Sequence, residues 1–180
     1  NAYIHDLKSY PFTIIIGVNT LYRALLDAPG FVGVDTSALK LTSAGGMAVQ
    51  RVVAERWMQR TGVAIVEGYG LTETSPVVAT GVGIDAPVGS VGRPLPGVQV
   101  RVVDPDGQDT YIGDAGEILV RGDNVFVGYW NDPEATTAVL SDDGWLHTGD
   151  IGFADEEGHV FLSDRAKDLV IVSGFNVYPN

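Results

Sequence analysis

LKLTSAGGMAVQRVVAERWMQRTGVAIVEGYGLTE, Leu39 to Glu73, decides the fold. Leu39 to Ser43 reads as a short strand that runs into the turn Ala44-Gly45-Gly46. Met47 to Arg60 then reads as an amphipathic helix. Val49, Val52, Val53 and Trp57 form its apolar stripe, and Arg51, Glu55 and Gln59 face water. Gly62 is placed to close that helix in the left-handed conformation. Val63 to Val66 is the next strand, ending in the polar loop Glu67 to Glu73. Strand, glycine turn, helix, strand and polar loop is the α/β pattern of a parallel sheet. Upstream, Phe12 to Ile16 is a continuous apolar and β-branched run, as expected of a strand buried on both faces. Asn19 or Thr20 is expected to cap the helix after it, with Leu21, Leu25 and Leu26 on its inner face.

From about residue 88 the texture changes to short strands and turn signals. Gly97 to Val103 alternates, Asp104-Pro-Asp-Gly107 is a turn, and Glu117 to Arg121 is a further strand. Asp132 and Pro133 open a short helix, Pro133 to Val139, as cap and first-turn residue. Trp145 to Asp150 and His159 to Leu162 flank the acidic turn Asp155 to Gly158. These elements predict a small antiparallel β subdomain. Asp164 to Asp168 reads as a charged bridge, and Leu169 to Val172 as the start of another strand.

The 180 residues are 45% hydrophobic and 19% charged, a globular composition. Absence of cysteine excludes disulfides and Cys-ligated zinc or iron–sulfur centres. The longest apolar run, around Phe12 to Val18, falls far short of the roughly 20 residues of a membrane span. Net charge is −12, which repels nucleic-acid backbones and anionic lipid. Residues 1–100 hold 7 acids and 7 bases; residues 101–180 hold 16 acids and 4 bases. All of the excess charge therefore sits in the second texture, which suggests two differently built subdomains.

Loops at the carboxyl ends of parallel strands are where α/β proteins bind ligands. Gly45 and Gly46 let the backbone approach a flat ligand closely. In Glu67-Gly-Tyr69-Gly70-Leu-Thr72-Glu73 a ring can stack on a base, a hydroxyl can donate to a phosphate, and a carboxylate can bind the accompanying Mg²⁺. The plain alternative is a Gly-Tyr-Gly turn and nothing more. Asp150, after Gly149, can accept the two hydroxyls of a ribose or simply cap a turn. His147, beside Trp145, reads as a packed or surface histidine rather than a base. Arg165 can fork onto ribose or phosphate oxygens, and its charged segment suits a hinge.

Taken in order, SAGGMAV, EGYGLTETSP, VGSVGRPLPGVQVRVVD, GEILVRG, GYWNDPEAT, DGWLHTGDIG and DRAKDLVIVSGFNVYPN resemble the adenylate-forming superfamily. Within it GVNTLYRALL, VVAERW, DGWLHTGDIG and LVIVSGFNVYPN are most similar to the bacterial long-chain fatty-acid–CoA ligases. The resemblance implies that the chain is part of the large N-terminal α/β domain. Its divisions would be an α/β adenylate-binding subdomain (1–90), a small antiparallel β subdomain (91–163), a hinge (164–168), and the start of a mobile C-terminal domain (169–180). It implies a fatty carboxylate activated by ATP as acyl-AMP, then transferred to CoA. Gly45, Gly46, Tyr69, Gly70, Thr72, Asp150 and Arg165 would hold the nucleotide, with Thr72 on the α-phosphate, Glu73 on Mg²⁺, and Asp150 on the ribose. Lys167 would be the hinge, Ser173, Gly174 and Phe175 would meet CoA, and Val18 and Leu21 would line the acyl pocket.

Ala166 departs from that branch, which carries a second basic residue there. The family's phosphate loop is expected before Asn1 and its catalytic lysine after Asn180, so the chain reads as an internal stretch of a longer protein. An enzyme passing its acyl group to a carrier protein, or activating another carboxylate, is the alternative within the superfamily. A non-catalytic nucleotide-binding module is the alternative outside it. Small-molecule substrates and a cytoplasmic setting are implied, peripheral membrane association stays open, and oligomeric state is not legible.

Overall fold

A computed structural model describes residues 2–165, 170–172 and 175–177, with side chains up to residue 163. The chain forms two compact units, Asn1–Gly68 and Tyr69–Asn180.

In the first unit, α1 (Ala2–Ser9) precedes β1 (Ile14–Gly17), α2 (Asn19–Asp27), a 3₁₀ segment (Pro29–Gly33), β2 (Leu41–Ala44), α3 (Arg51–Thr61) and β3 (Ile65–Gly70). β1, β2 and β3 are parallel, with Ile15 opposite Thr42 and Thr42 opposite Ile65, so two βαβ steps build the sheet. The core is aromatic. Trp57 of α3 is fully buried, meets Tyr22 edge-on at 4.9 Å and stacks on Phe31 at 5.5 Å. Its indole N–H donates to Thr42 Oγ1 at 3.2 Å, which ties α3 to the central strand. The Tyr22 hydroxyl is shared between the carbonyls of Ser43 and Ile15, the latter at 3.4 Å. Burial above all pushes this phenol up to about 12, so it remains a donor. Arg60 covers Phe31 at 5.2 Å and donates to the carbonyls of Phe31, Val32 and Val34.

Four expectations need correction. In β1 only Ile15 is buried; Ile14 and Ile16 are exposed, because this strand packs one face alone within its unit. α2 begins at Asn19 with Val18 as an N-cap that offers no side-chain acceptor; Asn19 Oδ1 is occupied by the Gln50 N–H. α3 begins at Arg51 rather than Met47, and its stripe is Val53 and Trp57, with Val52 exposed. β3 runs on to Gly70, so Tyr69 lies in a strand and not in a loop. Gly62 does close α3 with φ +74°, its N–H donating to Met58 O at 2.8 Å.

In the second unit a 3₁₀ turn (Thr72–Thr74) leads to β4 (Val77–Thr80), which pairs antiparallel with β5 (Arg93–Pro94). β6 (Gln99–Val103), β7 (Gly116–Arg121), β8 (Leu146–Ala154) and β9 (Val160–Arg165) form a four-stranded antiparallel sheet in that order. α4 (Pro133–Val139) is capped as expected, Asp132 Oδ1 accepting from the Ala135 N–H at 2.9 Å. β9 reaches Arg165, so the first two residues of the expected charged bridge are strand. β10 (Val170–Val172) and β11 (Phe175–Val177) pair antiparallel. Val78, Ala79, Ile118, Val120 and Val160 build a core that includes the Tyr69 ring. Among the described residues no helix is long and apolar enough to cross a membrane.

Candidate functional site

Parallel strands bring their carboxyl ends to one edge, and in the first unit that edge is drawn by backbone. The Gly45 N–H donates to Gly17 O at 3.2 Å, joining the ends of β2 and β1. Gly46 has φ +80°, and a Cβ built there would lie 4.0 Å from Val18 Cγ1, so Val18 borders the glycine turn. Val18 is exposed, whereas Leu21 is half-buried against the core. Two side chains, one from the start of α2 and one from β3, then pin the segment before α3. Asn19 Oδ1 accepts from the Gln50 N–H, and Glu67 Oε2 from the Val49 N–H, both at 3.0 Å. Helix starts leave such N–H groups without partners in the helix. Burial raises the Glu67 pKa, partly opposed by the Val49 N–H.

In the second unit side chains do this work. The Tyr69 hydroxyl donates to Asp150 Oδ2 at 2.7 Å, across 81 positions of sequence, and both residues are buried. An O–H···O⁻ bond of this length is charge-assisted. The backbone of Asp150 is fixed in turn: its N–H donates to Thr148 Oγ1 at 3.1 Å, and the Thr148 hydroxyl donates to Ile118 O at 2.7 Å. Glu117 accepts from the Gly149 N–H at 3.1 Å and pairs with His147 Nδ1 at 3.1 Å. His147 is thus a half-exposed partner of a carboxylate, in keeping with its reading as a surface residue. Glu117 had no assigned part from sequence, although a carboxylate opening the apolar run Ile118-Leu-Val120 was the available signal. The Arg165 backbone lies directly opposite Asp150 in the β8–β9 register.

The turn after β3 sorts its two threonines. Thr74 is fully buried, accepting from the Leu71 N–H at 3.0 Å, while Thr72 is exposed. Glu73 lies between them. Its carbonyl accepts from the Phe126 N–H at 2.8 Å, and its Oε1 accepts from the Tyr129 hydroxyl at 2.7 Å. That hydrogen bond, then burial and the charge of Glu73, raise the Tyr129 pKa. Among the described residues no group of three metal-ligating side chains occurs. One carboxylate beside an exposed hydroxyl still fits Mg²⁺, which is commonly held by one or two carboxylates together with substrate phosphates.

Of the residues singled out in the sequence, Tyr69, Gly70, Thr72, Glu73 and Asp150 fall in the second unit, with Tyr69 and Asp150 in direct contact. Gly45, Gly46, Val18 and Leu21 fall in the first. Lys167, Ser173 and Gly174 lie outside the described residues, and Phe175 is described only as backbone in β11.

Residues 1–130 match the AMP-binding enzyme family. A long-chain-fatty-acid–CoA ligase of Yersinia pestis is 52% identical over 179 residues, 98% of this chain and 32% of that protein. The anthranilate CoA ligase AuaEII, solved in complex with anthranoyl-AMP, superposes with a TM-score of 0.89 at 29% identity over 99% of this chain and 34% of its own. MatB of Rhodopseudomonas palustris, in its apo form, gives 0.85 at 41% identity, over 99% of this chain and 35% of its own. The chain spans about a third of the length of the curated relatives it matches, 32% for the Yersinia protein.

Proposed function

This chain belongs to the AMP-binding enzyme family, and from that premise we propose that it supplies the adenylate-holding part of an ATP-dependent fatty acyl-CoA ligase. One observation supports the reading above all others. Tyr69 and Asp150 share a 2.7 Å hydrogen bond, and Arg165 stands opposite Asp150 in the sheet register. Three stretches remote in sequence thereby converge, as a seat for one adenosine requires.

In the proposed reaction a fatty carboxylate oxygen attacks the α-phosphorus of ATP. The bond from that phosphorus to the bridging oxygen breaks, and pyrophosphate leaves. The CoA thiol then attacks the acyl carbon, the bond from that carbon to the phosphate oxygen breaks, AMP leaves, and the thiol proton passes to solvent. Such displacement relies on positioning and charge neutralisation rather than on a covalent enzyme residue. Asp150 accepts the ribose hydroxyls, its carboxylate already oriented by the Tyr69 phenol. The ring of Tyr69 offers its remaining edge to adenine, beside Gly70. Gly45 and Gly46 let adenine or the acyl group approach the backbone of the first unit, and Val18 and Leu21 line the acyl side. Thr72 would donate to the α-phosphate, Arg165 would serve ribose or phosphate, and Glu73 would hold Mg²⁺. Bound there, Mg²⁺ would offset charge on the phosphates.

The hinge role of Lys167 and the CoA-facing role of Ser173, Gly174 and Phe175 belong to the same proposal, as do the division at residues 90 and 163 and a cytoplasmic setting. The test is a coupled assay of the full-length protein with ATP and palmitate. AMP release strictly dependent on CoA supports the ligase. Acyl transfer to a carrier protein without CoA would replace it with the carrier-dependent alternative.

A further inference from the structure

Resting on the reading of Glu73 as a Mg²⁺ ligand, we propose that Tyr129 is a positioning residue that sets the Glu73 carboxylate for the metal. A strap between β7 and α4 grips the turn Thr72–Thr74 at three points. Asn124 Nδ2 donates to the carbonyls of Thr74 and Val77, each at 2.9 Å. The Phe126 N–H donates to the Glu73 carbonyl at 2.8 Å. The Tyr129 hydroxyl donates to Glu73 Oε1 at 2.7 Å. Backbone and side chain of one glutamate are therefore held by the same strap.

The strap is itself tied down. The Tyr129 N–H donates to Thr136 Oγ1 at 2.9 Å, and that hydroxyl donates to Asp132 O at 2.8 Å. The Phe126 and Tyr129 rings meet edge-on at 4.9 Å. Gly128, at φ +144°, lets the chain pass Thr136, where a Cβ would stand 2.8 Å from Cγ2. The phenol thus reaches Glu73 from a fixed base.

The chemical consequence concerns the two carboxylate oxygens. Oε1 is taken by the phenol. Oε2 accepts no hydrogen bond among the described residues, which leaves it as the hard donor for a cation. A free glutamate rotates about three bonds, and a phenol on one oxygen removes most of that freedom before the metal arrives. Partners that orient a metal-binding carboxylate typically change affinity by about 10- to 100-fold when removed.

The test uses the full-length protein with Tyr129→Phe, Glu73→Gln and the double variant. Phenylalanine keeps the ring on Phe126 and deletes only the oxygen of a residue that is 39% exposed, so the fold is retained. Two readouts are taken besides activity: ATP affinity by calorimetry at stepped Mg²⁺, and Mn²⁺ occupancy by electron paramagnetic resonance in the presence of ATP. The expected result is an about tenfold rise in the half-saturating metal concentration for Tyr129→Phe. ATP affinity at saturating Mg²⁺ should be unchanged. The double variant should be no worse than Glu73→Gln alone, since the phenol acts through that carboxylate. A shift with Glu73→Gln but none with Tyr129→Phe overturns the positioning role and leaves the Glu73 reading standing. No shift with either overturns both. Full additivity in the double variant, or a lower melting point with an unchanged metal requirement, also overturns it.

Discussion

The two units build their candidate edges in different ways. In Asn1–Gly68 the edge is backbone: glycines at the ends of parallel strands, held by Asn19 and Glu67 on neighbouring N–H groups. In Tyr69–Asn180 it is side chain: Tyr69 on Asp150 and Tyr129 on Glu73, pairs 81 and 56 positions apart. The first closes over 18 to 31 positions, within consecutive βαβ steps, so the order of elements specifies it. The second depends on a core that brings distant strands together, so it is strong only while that core is intact. Charge follows the same division, since the second unit holds 18 acids and 5 bases against 5 acids and 6 bases in the first, and its carboxylates Asp150 and Glu73 are each engaged by a phenol.

Glycine substitutions separate the two modes most sharply. A Cβ on Gly70 would stand 1.7 Å from the Pro76 carbonyl oxygen, which is backbone and cannot step aside. Gly70→Ala should therefore destabilise the second unit by about 3 kcal/mol or more. A Cβ on Gly45 meets only Gly68 O at 3.6 Å, an ordinary contact. Gly45→Ala should melt like the parent and yet bind ATP more weakly, because the added methyl occupies the approach to the edge. Thermal unfolding and calorimetry of the two variants check this, and the reverse ranking would break the comparison.

Of similar size is Trp57→Ala. It removes the ring against which Tyr22 and Phe31 pack, and should cost about 3–5 kcal/mol in denaturant titration. Tyr69→Phe comes third. It deletes one charge-assisted hydrogen bond to a buried carboxylate, at a cost of about 1–3 kcal/mol. It should also weaken ATP binding, whereas Trp57→Ala should act on stability first.

The smallest effect is a slope with pH. Burial raises the Glu67 pKa, so the folded state holds this proton more tightly than the unfolded state. Its share of stability is fully present below the ordinary glutamate pKa. That share is lost as pH rises from there through the raised value, because the unfolded chain releases its proton first. Glu67→Gln should flatten the melting-temperature profile across that interval while keeping an acceptor for the Val49 N–H.

The contrast between local and distant also explains what was legible in the sequence. Gly62 as a left-handed cap and Asp132 as an N-cap are properties of a few adjacent residues, and both appear where their chemistry places them. The βαβ order was legible for the same reason. Ile14-Ile-Ile16 was not, because an apolar run states what a strand can bury and not which faces its unit covers. Asn19 reads as a cap by type, but a neighbouring N–H claims its oxygen. Tyr22 hid among leucines, although its hydroxyl joins α2 to two strands. In the candidate site, the polar and aromatic types at 69, 73 and 150 stand out in the sequence, and their assignment to a nucleotide is part of the proposal. The phenol of Tyr129 on Glu73 was not legible, since a long loop brings it there, and neither was Glu117 on the Gly149 N–H, which the β7–β8 register selects.

Calorimetry of ATP binding to full-length Asp150→Ala bears most directly on the shared adenosine seat. Affinity should fall at least about tenfold, the value of a charged hydrogen bond, while unfolding stays cooperative. A dissociation constant equal to that of the parent would contradict the assignment of the ribose to this carboxylate.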